Sequence, residues 1–65
     1  MKMNEEICKR YLNKKVHVVL RNGFHFKGLV LEVTPLALNL KDKKIGESWF
    51  ALETIIQIYA EDWNE

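Results

Sequence analysis

Two periods of apolar residues divide the chain. Near the N-terminus Ile7, Cys8, Tyr11 and Leu12 recur at i, i+1, i+4 and i+5, which places them on one face of a helix. Asn4 stands where a cap is needed. Glu5 and Glu6 fall in the first turn, and Lys9 and Arg10 in the last, each sign where the helix dipole favours it. This predicts a helix over about 4–12. A helix that short is unstable in isolation, so its apolar stripe must dock on something. From Lys15 the period becomes two: Val16, Val18 and Leu20 point one way, and His17, Val19 and Arg21 the other.

Asn22-Gly23 marks a hairpin turn. A two-residue loop would mix apolar and polar faces across the hairpin. A three-residue loop, Arg21-Asn22-Gly23 with a left-handed Gly23, pairs Leu20 with Phe24, Val18 with Phe26 and Val16 with Gly28. That register leaves one clean apolar face and is the expected one. It assigns Phe24 and Phe26 to the core. The second strand runs from Phe24 to about Val33, and its alternation slips near Gly28, where Leu29, Val30 and Leu31 are consecutive. A glycine in a strand followed by lost phase predicts a sharp bend. Thr34-Pro35 ends that strand. Leu36, Leu38 and Leu40 predict a third, with Ala37, Asn39 and Lys41 on its other face. After a charged loop to Glu47, Ser48–Leu52 is a fourth strand, Glu53-Thr54 a tight turn and Ile55–Tyr59 a fifth.

One short helix followed by five short antiparallel strands, the second strongly bent, predicts a mainly β fold: a five-stranded SH3-like barrel over about 15–59, with an acidic tail over 60–65. The 65 residues form a single domain. Strands four and five are apolar on both faces, through Trp49, Phe50, Ala51 and Leu52 and then Ile55, Ile56, Ile58 and Tyr59. So small a barrel has no interior on both sides of a strand, and the surplus points to a subunit interface at Trp49, Ala51, Ile56, Ile58 and Tyr59.

Composition narrows the class. Hydrophobic residues are 48% and charged residues 29%, a globular balance. One cysteine excludes a disulfide framework and a Cys-rich zinc module. With no staple available to so small a core, oligomerisation is the expected source of stability. No apolar run reaches the ~20 residues of a membrane helix, and Met1–Arg10 has no signal-peptide character, so a cytoplasmic protein without membrane contact is expected. The net charge of +1 hides an asymmetry. Met1–Lys27 holds seven basic and two acidic residues, and Gly28–Glu65 three basic and seven acidic. Either the basic half attracts phosphate or the two halves attract each other; both readings stay open.

Several stretches then resemble the Sm-like (Lsm) family, which includes the bacterial RNA chaperone Hfq. Tyr11–Gly23 is similar to the family's helix exit and first strand. Gly23-Phe24-His25-Phe26-Lys27-Gly28-Leu29-Val30 matches its first-motif pattern G-x-x-[aromatic]-x-G-x-[apolar], and Phe50–Ile58 resembles the second motif of two strands flanking a tight turn. The resemblance covers about residues 5–60. It implies a ring of six or seven subunits, in which the fourth strand of one pairs with the fifth of the next, and binding of single-stranded RNA. Departures fall on the family's RNA-binding positions. The D-x-x-[apolar]-N element reads Thr34, Ala37 and Leu38 here, with Asn39 one residue late. The second motif's Arg-Gly or Lys-His pair reads Ala51-Leu52.

The expected nucleic-acid contacts are Lys14, Lys15, Arg21 and Lys27 on the first hairpin, which need only charge to hold phosphates. Thr34 and Asn39 are candidate base readers, Asn39 having a solvated strand polar as its plainer reading. Lys9 and Arg10 loosely resemble the basic helix rim of Hfq, and they also complement the helix dipole. Solvent-facing lysines on strands also blunt edges, so the hairpin cations have a plain structural reading too. His17 and His25 are diagonal neighbours without a third ligand and beside cations, so no metal is expected. Cys8 lies in the apolar stripe as a small hydrophobe, and no nucleophile–base arrangement is present. The expectation is therefore a non-enzymatic, cofactor-free ring that binds single-stranded RNA. The alternative is an interaction or structural module on the same fold that has lost nucleic-acid binding.

Overall fold

The computed structural model describes residues 3–61. A short helix, α1 (Glu5–Lys9), precedes β1 (Lys15–Leu20), β2 (His25–Val33), β3 (Ala37–Asp42), β4 (Gly46–Ala51), a 3-10 turn (Leu52–Thr54) and β5 (Ile55–Ala60). The strands form one antiparallel sheet in the order β4-β3-β2-β1-β5. The sheet is open, with β4 and β5 as its two edges. Ala60, expected to open the acidic tail, belongs to β5, and residues 62–65 of that tail lie outside the described residues.

The helix is capped as its sequence requires: the Asn4 side chain accepts the Ile7 N–H at 2.9 Å. It ends sooner than the apolar spacing suggests. Residues 10–13 continue as tighter turns, and Asn13 adopts a left-handed φ of 64°, reversing the chain into β1. The Asn13 and Val30 amides then tie this connection to β2, donating to the Val30 and Lys14 carbonyls at 2.8 and 3.1 Å. The docked stripe is Ile7, Cys8 and Tyr11, of which Cys8 is fully buried; Leu12 is exposed.

The first hairpin has the register read from its alternation. Val16 pairs with Gly28 and Val18 with Phe26, and the Leu20 amide donates to the Phe24 carbonyl at 2.8 Å. Gly23 holds φ +92°, the conformation the three-residue loop demands. Phe24 corrects the expectation. It is 62% exposed, because the apolar face at the loop end overhangs the core instead of covering it. Phe26 does pack inward, its ring centroid 5.0 Å from that of Phe50.

Loss of phase in β2 has two separate causes. Gly28 lets the Lys41 carbonyl approach closely: a Cβ there would lie 2.5 Å from that oxygen. Beyond it Leu31 is an extra residue, since Val30 opposes Leu40 while Glu32 opposes Asn39. Such a bulge bends and twists its strand. Leu38 and Leu40 enter the core as expected, but Leu36 precedes β3 and is 81% exposed. The core is Cys8, Val16, Val18, Val30, Leu38, Leu40, Leu52, Ile55 and Ile58. Ile58, expected at a subunit interface, is thus part of the chain's own interior; a bulge at Ile56 sets β5 so that Ile55 and Ile58 both turn inward.

Candidate nucleic-acid interface

Residues of alternate phase leave the opposite face of β1, β2 and β5 in solvent. Across this outer face Lys27 pairs with His17 and His17 with Tyr59, giving one row. The next row is Lys41, Leu29 and Lys15, joined by the pairs Leu29–Lys41 and Lys15–Leu29. Glu61 continues that row, its amide donating to the Lys15 carbonyl at 2.9 Å. The β3–β4 turn folds over the same end of the sheet. The Asp42 carboxylate shapes it by accepting the Lys44 and Ile45 amides at 2.6 and 3.3 Å.

These elements enclose an open groove of about 550 Å³. Lys15, Lys27, Lys41, Lys43 and Lys44 line it, with Asp42, Glu61, Gly28 and Leu29. Five basic residues and two acidic ones therefore line it. One carboxylate, Asp42, is already occupied by backbone amides. The field in the groove is positive although the chain as a whole is nearly neutral. Lysines are point charges on flexible stems, suited to phosphate oxygens at variable positions.

Of the residues expected at this site, only Lys15 and Lys27 line the groove. Lys14 is exposed just before β1. Arg21 is spent elsewhere: its guanidinium donates to the Glu53 carbonyl at 2.8 Å, and its amide donates to the Thr54 carbonyl, binding the hairpin tip to the 3-10 turn. Lys9 pairs with Glu5 at 3.3 Å on the helix surface, and Arg10 is exposed at the helix C-cap. Thr34 is half-buried and engaged by its own turn. Its hydroxyl donates to the Ala37 carbonyl and accepts the Leu36 and Ala37 amides, closing the β2–β3 turn.

Asn39 is 6% exposed, not a solvated strand polar. It sits opposite Trp49 on β4 and Glu32 on β2. Its amide donates to the Glu47 carboxylate at 3.3 Å, and its carbonyl oxygen is buried without a partner. Trp49, Ala51, Ile56 and Tyr59 are exposed on the two edge strands.

The three groove lysines that sequence reasoning left out, Lys41, Lys43 and Lys44, belong to the half of the chain with an acidic surplus. Their loop looks like a solvated connection. Only the β2–β3 register brings it beside Lys27. Leu29 opposite Lys41 is the pairing that a count back from the Thr34-Pro35 turn, corrected for the bulge, would have found.

His17 and His25 stand diagonally on the outer face, and among the described residues no group of three or more metal-ligating side chains converges. Burial pushes the Cys8 thiol above its ordinary pKa of 9.0, which disfavours the nucleophilic thiolate. No helix among the described residues is long and apolar enough to cross a membrane. Compared with protein-family models, curated proteins and solved structures, the chain matches none.

Proposed function

We propose that this chain is a non-enzymatic Sm-like protein of the cytoplasm whose copies form a homo-oligomeric ring, and that the ring binds single-stranded RNA. The observation that carries the binding is the five-lysine groove on the outer face. Several lysines on one surface hold a phosphate backbone with little demand on geometry, and a ring multiplies that hold by repeating the groove. The close approach at Gly28 and the bulge at Leu31 supply the curvature that an SH3-like barrel needs.

Assembly is supported by the two edges. β4 and β5 each have a single partner in the sheet, and each exposes a large apolar side chain, Trp49 on β4 and Ile56 on β5. Open edges of this kind invite a strand from another copy. Edge-to-edge pairing of β4 with the next β5 follows the family resemblance, which gives six or seven subunits.

The interaction-module alternative draws on one specific observation. The two expected base readers are both committed, Thr34 to the backbone of its own turn and Asn39 inside the fold. This removes the expected means of reading a sequence, not the means of holding phosphates. Anisotropy of labelled U-rich, A-rich and mixed RNAs at low and physiological salt separates the two. Saturable binding whose affinity falls with salt is expected. No binding at either salt would sink the RNA function and leave the interaction module. A mass near 8 kDa in native mass spectrometry at micromolar concentration would sink the ring, and Trp49→Lys is expected to lower the mass from the assembled to the monomeric value.

A further inference from the structure

The lysine groove does not end in featureless surface. It adjoins a pair of aromatic rings: His17 and Tyr59 are stacked, with centroids 5.1 Å apart and planes within 9° of parallel. Both project from the outer face, in the row that begins with Lys27. One face of the Tyr59 phenol rests on the imidazole, and Tyr59 stays 37% exposed. The neighbouring row carries Lys15 and Lys41, two residues along the strands, a step of roughly 7 Å. Lys15 is thus the cation diagonal to the Tyr59 ring, Lys27 lies beyond His17 in the ring's own row, and Glu61 is two residues along from Tyr59.

We infer that this juxtaposition is the nucleic-acid site itself. Lys15, Lys27 and Lys41 hold consecutive phosphates, and an unstacked base lies on the Tyr59–His17 platform. The inference rests on the RNA-binding function proposed above and adds its location, its means of recognition and its tolerance of sequence. Every base has a π-face, so a stacking platform accepts any of them. A duplex keeps its bases stacked internally and has none to offer, so the site selects single strands. An acidic peptide would satisfy the lysines and leave the platform unused. Tyr59, expected at a subunit interface, is held by the stack in a position where it faces ligand.

The experiment uses the full chain and two labelled strands of equal length, oligo(U) and the same strand with alternate abasic sites, titrated by anisotropy. The wild-type protein is expected to bind the base-bearing strand roughly tenfold more tightly. Tyr59→Leu is expected to erase that ratio with the salt slope unchanged, and Tyr59→Phe to preserve it. Lys15, Lys27 and Lys41 changed together to Gln should weaken both strands and flatten the salt slope by about 2. Native mass spectra of the variants confirm an unchanged assembly. A wild-type ratio near one, or a ratio that survives Tyr59→Leu, overturns the placement but leaves RNA binding standing. Polyglutamate that displaces the strand while the ratio is near one also overturns it and points to an acidic protein partner. Failure of the wild type to bind either strand overturns both proposals.

Discussion

Gly28→Ala tests the packing that shapes the groove. An added Cβ would lie 2.5 Å from the Lys41 carbonyl oxygen and 3.0 Å from both the Leu40 Cγ and the Lys41 carbonyl carbon. Real Cβ atoms do not approach oxygen so closely, and two of the three atoms are backbone, which cannot rotate aside. The β2–β3 ladder must separate by about half an ångström or bend. Overpacking of this kind costs about 1–3 kcal/mol. Alanine also stiffens the unfolded chain, which offsets roughly 0.4–1 kcal/mol. The net loss is about 1–2 kcal/mol, and a domain this small shifts its Tm by about 4–8 °C per kcal/mol. A drop of roughly 5–15 °C is expected in a circular-dichroism melt at matched protein concentration. The φ of Gly28 is not in the left-handed region, which among the glycines only Gly23 and Gly46 occupy, so the destabilising part is contact and not backbone strain. A variant that melts at or above the wild-type temperature would refute the close approach and with it the β2–β3 register.

Leu38→Ala empties a fully buried site; such truncations cost about 2–5 kcal/mol, comparable to the whole stability of a domain this size, and the cooperative melt should disappear. Asn4→Ala removes the cap on Ile7, and a urea titration should show a loss of about 1 kcal/mol. Burial raises the Cys8 pKa in the folded chain above 9.0, so its contribution is complete below the free-thiol pKa and is lost as pH rises, because the unfolded thiol ionises first. Urea midpoints should therefore fall more steeply above about pH 9 for the wild type than for Cys8→Ala.

The elements that could be read from the chain are those fixed by neighbours in sequence. Asn4 caps its helix because the donor it serves is three residues away. The first hairpin is legible because Asn22-Gly23 and the Val16/Val18/Leu20 phase agree on one register. Glu53-Thr54 belongs to the tight 3-10 turn between two strands. What was not legible depends on pairings across the sheet. Asn39 looks solvated by alternation, yet cross-strand Trp49 and the nearby Glu47 cover it. Phe24 has the phase of the core but lies beyond its edge. Arg21 looks free until the 3-10 turn arrives beside it. At the candidate site, Lys15 and Lys27 were legible as hairpin cations, whereas Lys41, Lys43 and Lys44 join them through a register that includes a bulge, which alternation cannot count through.

The strand order has a kinetic consequence. β1 to β4 are a meander in which each strand lies beside the next, and β5 alone crosses back to pair with β1. Each hairpin of the meander closes by a local search, on the order of microseconds. Docking β5 requires Val18 to find Ile58 from the far end of the chain, and that long closure sets the folding rate. Until it happens, β1 is itself a sheet edge, offering its hydrogen-bonding row to any β5 that arrives. At high concentration a neighbour's β5 competes with the chain's own, and refolding under those conditions favours copies that have exchanged their last strand.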